Sequence, residues 1–351
     1  MTPPASVLVI GCGLIGTSIA LALREHGVDV HLDDVSRSNL ELAVSRGAGS
    51  AERVAAPELV VVAVPPSGVV DTVSHALSTW PDAVVTDVAS VKTHLAARIA
   101  ELPGSHRYVG SHPMAGSERA GPMAASARLF EGRPWAVTPM AGAGERSVRF
   151  IEAVAELVGA VPITMDAESH DRAVALVSHV PHVLSVLAAA RLKDAPRSHL
   201  SLAGPGLRDV TRIAGSDTAL WSDILRSNAG EVRALLEQVR ADLEGVIASL
   251  GLDEPAVDGI LESGRAGTRL IPGKHGERPT EFATVFVPIA DHPGELSRLM
   301  AHTGESGVNI EDLRIDHELG RPVGLVEIAV LTDRADALVE ALIARGWSAY
   351  R

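Results

Sequence analysis

The sequence predicts an α/β protein whose first half forms a parallel sheet with helices on both faces. One observation is that short apolar runs alternate there with helical patterns. A second is the glycine-rich turn between the first apolar run and the first helical pattern, Gly11-Cys12-Gly13-Leu14-Ile15-Gly16. Gly11 permits the tight turn, Gly13 lets the backbone approach a pyrophosphate, and Gly16 allows close packing of helix on strand. Together they predict a Rossmann-type, doubly wound sheet that binds a dinucleotide.

Three domains are expected along the 351 residues. The strands predicted for the first domain, residues 1–165, are Val7–Ile10, Val28–Leu32, Leu59–Val64, Ala83–Thr86, Tyr108–Gly110, Trp135–Thr138 and Val161–Thr164. Long helical patterns then predict an all-helical domain over residues 166–275, with one helix from Asp166 to about Leu192 and another from about Asn228 to Leu250. Residues 264–278, rich in glycine and basic residues, are predicted to be a linker to a third domain over residues 280–351.

Composition narrows the function. A formal net charge of -13 argues against nucleic acid or an anionic membrane as a partner, because either needs a basic surface. The single cysteine, Cys12, excludes intrachain disulfides and CxxC zinc sites, and it favours a cytoplasmic setting. We expect no metal site, and no run after residues 5–23 long enough to span a bilayer.

The second predicted strand ends in two acidic residues, Asp33 and Asp34. An acidic side chain at this place accepts hydrogen bonds from the adenosine ribose, which favours NAD over NADP. Strand parity favours Asp34 without excluding Asp33. Arg37 could reach a 2′-phosphate, or it could be a solvated side chain at the start of a helix.

His112 is the candidate catalytic base. It follows the predicted strand Tyr108–Gly110, at the carboxyl end where doubly wound sheets hold their ligands. An imidazole can take a proton from a substrate hydroxyl near neutral pH while hydride leaves the same carbon. Ser90 follows the neighbouring strand, so its hydroxyl could orient a substrate oxygen beside His112, or it could cap a helix.

The helical half offers further polar groups. His179 and His182 share a helix face, with Pro181 expected to kink the helix between them. Arg208 and Arg212 fall four residues apart, so both guanidinium groups could meet a dianionic substrate, or Asp209 could neutralise one of them. The apolar faces of the helices after Asp166 predict a homodimer.

These residues resemble the TyrA family of prephenate and arogenate dehydrogenases. The matching segments are the glycine-rich turn with Thr17-Ser18, Asp87-Val88-Ala89-Ser90-Val91-Lys92, His112-Pro113-Met114-Ala115-Gly116-Ser117-Glu118, Ser178-His179-Val180-Pro181-His182, Asp209-Val210-Thr211-Arg212-Ile213-Ala214, Ser216-Asp217 and Trp221. Several motifs in one order over residues 7 to 225 make the resemblance specific.

The resemblance implies an NAD-dependent oxidative decarboxylation of prephenate, or of arogenate. In that reaction hydride leaves the carbon that bears the hydroxyl, His112 takes the hydroxyl proton, and loss of CO2 makes the ring aromatic. By the same resemblance Ser90 assists His112, Arg212 holds a substrate carboxylate and His179 lies near the nicotinamide. Glu118 would lie at the entrance, Trp221 would come from the neighbouring subunit, and Arg208 stands where the family often has lysine.

The last 70 residues are predicted to have the βαββαβ order of an ACT domain, which they also resemble in two short segments. The segments are Asp291-His292-Pro293-Gly294-Glu295-Leu296 and Gly307-Val308-Asn309-Ile310. The implied ligand is an aromatic amino acid whose carboxylate meets backbone N–H groups at Gly294. Asp291 and Pro293 could instead serve only as helix cap and first turn.

Two other functions stay open at this point. One is a different NAD-dependent dehydrogenase with an ACT domain, which would leave the HPMAG and TRIA segments unexplained. The other is a sensor that binds NAD and an amino acid without catalysis.

Overall fold

The computed structural model describes residues 3–116, 121–251, 256–271, 282–317 and 323–351. The chain divides into two compact units, Met1–Arg240 and Ala241–Arg351. Residues 272–281 are outside the described ranges, and with them lies the predicted boundary near residues 275–280. The three-domain division therefore stays a prediction.

A seven-stranded sheet forms the centre of the first unit. Its strands are β1 (Ser6–Ile10), β2 (Asp29–Asp33), β3 (Leu59–Val62), β4 (Val84–Asp87), β5 (Tyr108–Pro113), β6 (Pro134–Thr138) and β7 (Val161–Thr164). They lie in the order β2-β1-β3-β4-β5-β6-β7. The seven predicted strands and the Rossmann-type sheet are confirmed. Because β2 and β3 flank β1 on opposite sides, the ligand crevice opens at the carboxyl end of β1.

The sheet departs from the expected all-parallel arrangement at one place. Strand β6 runs antiparallel to β5, with His112 opposite Ala136, while β7 is again parallel to β6. A parallel neighbour needs a crossover, usually a helix, whereas an antiparallel one does not. Between β5 and β6 the described residues hold only a 3-10 turn, Pro122–Ala124, so the chain returns in the opposite direction.

Helices cover both faces of this sheet. The helices of the first unit are α1 (Leu14–Glu25), α2 (Arg37–Ser45), α3 (Pro66–Thr79), α4 (Thr93–Ile99), α5 (Glu145–Leu157), α6 (Ala167–Val174), α7 (Val180–Ala190), α8 (Arg197–Leu200), α9 (Pro205–Thr211) and α10 (Thr218–Ser227), and α11 (Ala229–Ser249) continues into the second unit. Ile19 of α1 and Ile151 of α5 belong to one buried cluster. Val73 of α3 and Leu95 of α4 belong to another.

The predicted helix from Asp166 is continuous, but its middle is a π-helical turn, Ala175–His179, directly before α7. Pro181 lacks an N–H, and a wider turn at this place accommodates the proline without breaking the helix.

The expectation that no later apolar run is long enough to span a bilayer is wrong, because one helix of this chain has the length and composition of a span. Ala167–Ala190 is a 24-residue helix with a mean hydropathy of 1.8, which alone is weak evidence for a membrane span.

The second unit contains a three-stranded antiparallel sheet in the order β8-β10-β9. Its elements are α12 (Ala256–Thr268), β8 (Phe282–Ala290), α13 (Glu295–Glu305), β9 (Asp312–His317), β10 (Val323–Leu331) and α14 (Thr332–Ala344). The first five predicted elements are present in the expected order. The sixth, a strand over Trp347–Tyr350, is reduced to a single bridge between Phe286 and Tyr350.

Two local expectations for this unit are wrong. The predicted linker is helical at its start, because α12 continues through Gly264 and Gly267 to Thr268. Helix α13 is capped by Gly294 in the left-handed region, at φ 97°, so Asp291 does not cap it and Pro293 precedes its first turn. Glycine adopts this conformation at no steric cost, which explains why the helix begins there.

Candidate active site

The glycine-rich turn is open to an approaching anion at Gly13, whereas at Gly11 and Gly16 a side chain would collide with backbone atoms. A Cβ at Gly16 would lie 1.9 Å from the carbonyl oxygen of Gly11, and one at Gly11 would lie 2.3 Å from that of Ala63. A Cβ at Gly13 would meet nothing within 4 Å. Gly13 is the N-cap of α1 and supplies no side-chain partner to the first N–H groups of the helix. These N–H groups and the helix dipole suit a phosphate.

Asp34 lies beside this turn. Its carboxylate accepts hydrogen bonds of 2.6 Å from the backbone N–H groups of Cys12 and Ser36. Asp33 is exposed and contributes its main-chain oxygen to Gly11 N at 2.8 Å. Arg37 is paired with Glu41 at 2.7 Å on the surface of α2. The arrangement therefore favours Asp34 as ribose acceptor and gives Arg37 a surface partner.

His112 lies at the carboxyl end of β5 and begins a chain of three polar side chains. Its Nδ1 is 3.0 Å from Nε2 of His170, whose Nδ1 is 2.8 Å from a carboxylate oxygen of Asp171. A carboxylate only accepts, so the proton of a neutral His170 is on Nδ1 and its Nε2 accepts from His112. His112 then presents an unprotonated Nε2. This is the form that a general base requires.

Burial lowers the pKa of His112 well below 6.5, and the neighbouring His170, Lys92 and His179 lower it further. Lys92 is buried, forms an ion pair with Asp87 and donates to the Ser111 carbonyl at 2.8 Å. Its ammonium thus lies under the strand that carries His112. At neutral pH the His112 ring is uncharged and available to accept a proton.

Asp171 also holds the loop after β4. Its two carboxylate oxygens accept the backbone N–H groups of Lys92 and Thr93, each at 2.8 Å, at the start of α4. Burial raises the pKa of Asp171, but the hydrogen bonds from His170, Thr93 and Lys92 outweigh it and keep the pKa below its ordinary value. The N-cap of α4 is Lys92, so the alternative of Ser90 as a helix cap is wrong.

The second site histidine, His179, ends the π-helical turn. Its Nδ1 is 3.2 Å from the side-chain nitrogen of Asn228, which donates to the Asp171 carbonyl at 2.8 Å. Burial lowers the pKa of His179 to about 4, against an opposing effect of Asp171. Trp221 stacks on His182 with ring centroids 3.4 Å apart and meets His179 edge-on at 6.1 Å. Trp221 therefore packs on histidines of its own chain.

The structure brings only some of the sequence-predicted residues together. His112 and His179 lie close enough to influence each other, and Ser90 is half-buried in the loop that ends at α4. Arg208 is exposed on α9, which ends at Thr211, so Arg212 begins a 3-10 turn instead of continuing the helix. Glu118 lies outside the described residues. Among those described, no group of three or more potential ligands is arranged for a metal.

Sequence reasoning missed four residues of this site, namely Lys92, His170, Asp171 and Asn228. In the sequence, three of them are only members of helical patterns and Lys92 is only the last residue of a motif, so none of the four indicated a role in the site. The one available signal was the His170-Asp171 pair at the start of a long helix. It did not indicate which distant side chain would meet the pair.

Comparison with known proteins identifies the family. A model described as prephenate dehydrogenase, nucleotide-binding domain, matches residues 19–164, and one described as prephenate dehydrogenase, dimerization domain, matches residues 166–255. The chain belongs to the prephenate dehydrogenase family. It is therefore an enzyme of an NAD-dependent oxidoreductase family. Neither model extends into residues 256–351, so they do not assign the C-terminal sheet to an ACT domain.

Individual relatives agree with this assignment. The probable prephenate dehydrogenase NovF of Streptomyces niveus is 37% identical over 98% of this chain and 99% of its own. The crystal structure of prephenate dehydrogenase from A. aeolicus, in complex with hydroxyphenyl propionate and NAD+, has a TM-score of 0.68 at 27% identity, over 76% of this chain and 98% of its own. Synechocystis arogenate dehydrogenase has a TM-score of 0.63 at 27% identity, over 75% and 98%.

The two glycines of the turn separate folding from dinucleotide binding in this family member. Gly16→Ala forces a methyl group onto backbone, so we expect it to lower the free energy of unfolding by about 1–3 kcal/mol or more. Gly13→Ala fills only open space, so we expect near-normal stability and much weaker binding of NAD. Urea denaturation and calorimetric titration with NAD measure the two effects. Normal NAD affinity in folded Gly13→Ala would contradict this location of the pyrophosphate.

Proposed function

We propose that the chain catalyses the NAD-dependent oxidative decarboxylation of prephenate to 4-hydroxyphenylpyruvate, a step of tyrosine biosynthesis. The observation that carries this proposal is the His112-His170-Asp171 chain, which leaves one ring nitrogen of His112 unprotonated at the carboxyl end of β5. Both family models and the nearly full-length relative support the same reaction.

NAD fits the residues of the glycine-rich turn. The N–H groups at the start of α1, with the open space at Gly13, would hold the pyrophosphate, and Leu14 and Ile15 supply the first two of these groups. Asp34 retains lone pairs for the ribose hydroxyls beside its two backbone bonds. When bound, NAD+ supplies the acceptor for the hydride that leaves the substrate.

His112 takes the proton of the ring hydroxyl as the C–H bond of that carbon is broken. The C–C bond to the ring carboxylate then breaks and CO2 leaves. The electron pair of that bond makes the ring aromatic and places a negative charge on the ring oxygen, which takes the proton back from His112 to give the phenol. The proton accepted by His112 places a positive charge one hydrogen bond from His170 and two from the Asp171 carboxylate. The carboxylate stabilises this charge without having to contact substrate.

The other substrate contacts are carried over from the family motifs. We assign the ring hydroxyl to Ser90 as well as His112, and a substrate carboxylate to Arg212, with Arg208 as a second cation. Glu118 would lie at the entrance, while His179 and Trp221 would contact substrate or nicotinamide. The half-buried loop of Ser90 and the packing of Trp221 against His179 support the part of this assignment that concerns these three residues.

Arogenate is the second candidate substrate, because a solved neighbour is an arogenate dehydrogenase. The two substrates differ in one group, a pyruvyl or an alanyl side chain. Initial rates with each substrate and with NAD+ or NADP+ decide between them. We expect the highest kcat/KM with prephenate and NAD+, whereas turnover of neither substrate would refute the proposed function.

Replacement of the base should separate catalysis from binding. An asparagine at position 112 can still donate to His170 but cannot take a proton, so we expect His112→Asn to lower kcat roughly 10²- to 10⁴-fold. NAD affinity and thermal stability, measured by titration and melting, should stay close to those of the unaltered enzyme. A near-normal rate would remove His112 from the reaction.

The pH dependence follows from the lowered pKa of His112. A base must be unprotonated to act, and a pKa below 6.5 keeps it so in mildly acidic solution. We therefore expect kcat/KM to stay level from about pH 8 to about pH 6.5 and to fall only below that range. Initial rates at subsaturating prephenate across this range test it, and an acid limb centred above pH 6.5 is incompatible with the assignment.

We further propose that the enzyme is a cytoplasmic homodimer. The helices of the dimerisation segment expose large apolar side chains in the single chain: Leu176, Val177, Leu184, Val186, Leu187, Val210 and Leu220. Many exposed apolar side chains on one segment are typical of a subunit interface. The one cysteine, Cys12, is buried and unpaired, as suits a reducing compartment.

We also propose that the C-terminal unit is an ACT-type module that binds an aromatic amino acid, with tyrosine as the first candidate. Support comes from the order of its helices and strands and from the start of α13 at Gly294, where no side chain caps the helix. The residues proposed for this site are Asp291, Pro293, Gly294 and Asn309. Asn309 is exposed and bonded to Glu311 at 2.7 Å.

This regulatory site predicts that tyrosine lowers the dehydrogenase rate and that Asn309→Ala weakens the effect. Couplings between effector and substrate are typically about 1–3 kcal/mol, or about 5- to 150-fold. Rates measured in the full chain at rising tyrosine and at several prephenate concentrations give the coupling. If tyrosine inhibits the unaltered enzyme and Asn309→Ala equally, and purely in competition with prephenate, then tyrosine occupies the active site and not the C-terminal unit.

A further inference from the structure

We propose that the fold holds His112 and His179 in opposite tautomers, and that Asn228 is the positioning residue that sets the tautomer of His179. His112 then offers an acceptor at Nε2, whereas His179 offers a donor at the same atom. The proposal rests on the proposed function only in that both rings meet the substrate. The tautomers themselves are properties of the chain.

The orientation of the Asn228 side chain is determined by a single acceptor. One of its terminal atoms lies 2.8 Å from the main-chain oxygen of Asp171. A carbonyl oxygen only accepts, so this terminal atom is the NH2 nitrogen and not the amide oxygen. The same nitrogen has a second hydrogen and lies 3.2 Å from Nδ1 of His179. Asn228 therefore donates to both.

Because Nδ1 of His179 accepts, it carries no proton, and the proton of the neutral ring is on Nε2. Both side chains are buried, with 5% of Asn228 and 1% of His179 exposed, so water does not compete for this hydrogen bond. The groups around His179 whose charges affect it are Asp171, His170 and His182. Burial outweighs the attraction of Asp171 and keeps the ring neutral, in agreement with the hydrogen bonds.

The two tautomers have a common origin in Asp171. Its carboxylate fixes the proton of His170 and so makes Nδ1 of His112 a donor. Its main-chain oxygen orients Asn228 and so makes Nδ1 of His179 an acceptor. One residue thus determines which ring can take a proton and which can give a hydrogen bond.

The two tautomers give the histidines different roles in the reaction, His112 as base and His179 as hydrogen-bond donor. His179, with Nε2–H, can bind a carboxylate or carbonyl oxygen but cannot compete with His112 for the hydroxyl proton. If His179 had the other tautomer, the site would contain two acceptors and no neutral imidazole donor. Nε2–H of His179 can donate to a substrate carboxylate or to the carboxamide oxygen of nicotinamide.

Nitrogen NMR of the full-length protein labelled with 15N-histidine reads the tautomers directly. Spectra at about pH 7.5, a value at which an unperturbed imidazole is mostly neutral, are assigned by comparison with His179→Gln and His112→Asn. We expect Nε2 to be protonated in His179 and Nδ1 in His112. Nδ1 protonated in His179 of the unaltered protein would overturn the proposal, whether or not any variant folds.

Two substitutions of Asn228 extend the test to the reaction. Asn228→Asp supplies an acceptor, so we expect His179 to change to the Nδ1–H form and to titrate at higher pH. Asn228→Leu is the matched control, since it removes the bond without reversing it. We expect kcat to fall roughly 10- to 100-fold in Asn228→Asp, the range typical when a group that orients a metal-bound histidine is replaced, and less in Asn228→Leu.

Equal losses of kcat in the two variants, with the His179 tautomer unchanged, would show a structural role only and refute the positioning role of Asn228. The nitrogen spectra need no substrate. A protein that does not oxidise prephenate would therefore refute the proposed function while its spectra still decided the tautomers.

Discussion

The carboxylate of Asp171 is the contact on which the rest of the site depends. It joins α6 to the start of α4, because it accepts hydrogen bonds from the N–H groups of Lys92 and Thr93 as well as from Nδ1–H of His170. Hydrogen bonds to a charged group typically contribute about 1.5–3 kcal/mol each. The same carboxylate atoms that accept hydrogen bonds at the start of α4 therefore also position His170, which meets His112 of β5. One carboxylate thus contributes both to the packing of α6 against α4 and to the placement of the base.

The charged groups near His112, Lys92 and Asp171, favour a neutral ring before the reaction and stabilise a positive ring during it. Before reaction the ring must be neutral, and burial together with the Lys92 ammonium keeps it so. During reaction it becomes positive, and the nearest carboxylate reaches it through His170. Lys92 is itself buried but is compensated by Asp87, which also accepts from the Tyr108 hydroxyl at 2.6 Å. A buried charge is tolerable only with such partners, so this network allows a cation close to a base.

Local patterns predicted what depends on local chemistry. The strands are confirmed, because they follow from periodicity, and Asp34 and His112 lie at the strand ends where the sequence placed them. The roles of these two residues stay predictions. Contacts between residues that are distant in the sequence were not predicted. His112 and His170 are 58 residues apart, and His179 and Asn228 are 49 apart, so only packing brings them together. The antiparallel β6 and the helical Gly264 were missed because the return direction of a chain and the tolerance of glycine in a helix depend on tertiary context.

The long helix Ala167–Ala190 shows why hydropathy alone misleads here. Four of its polar residues, His170, Asp171, His179 and His182, are each less than 5% exposed, whereas Leu176, Val177 and Leu187 are more than half exposed. A membrane span would present apolar residues all round and would keep few ionisable groups. This helix instead divides its surface: one face builds the site, and the other is apolar toward solvent in the single chain. Pro181 has no N–H to donate within the helix. The π-helical turn before it accommodates this loss without breaking the helix, so both faces continue along one helix. The apolar face is then available for the proposed second subunit, and the site lies on the opposite side of the same helix.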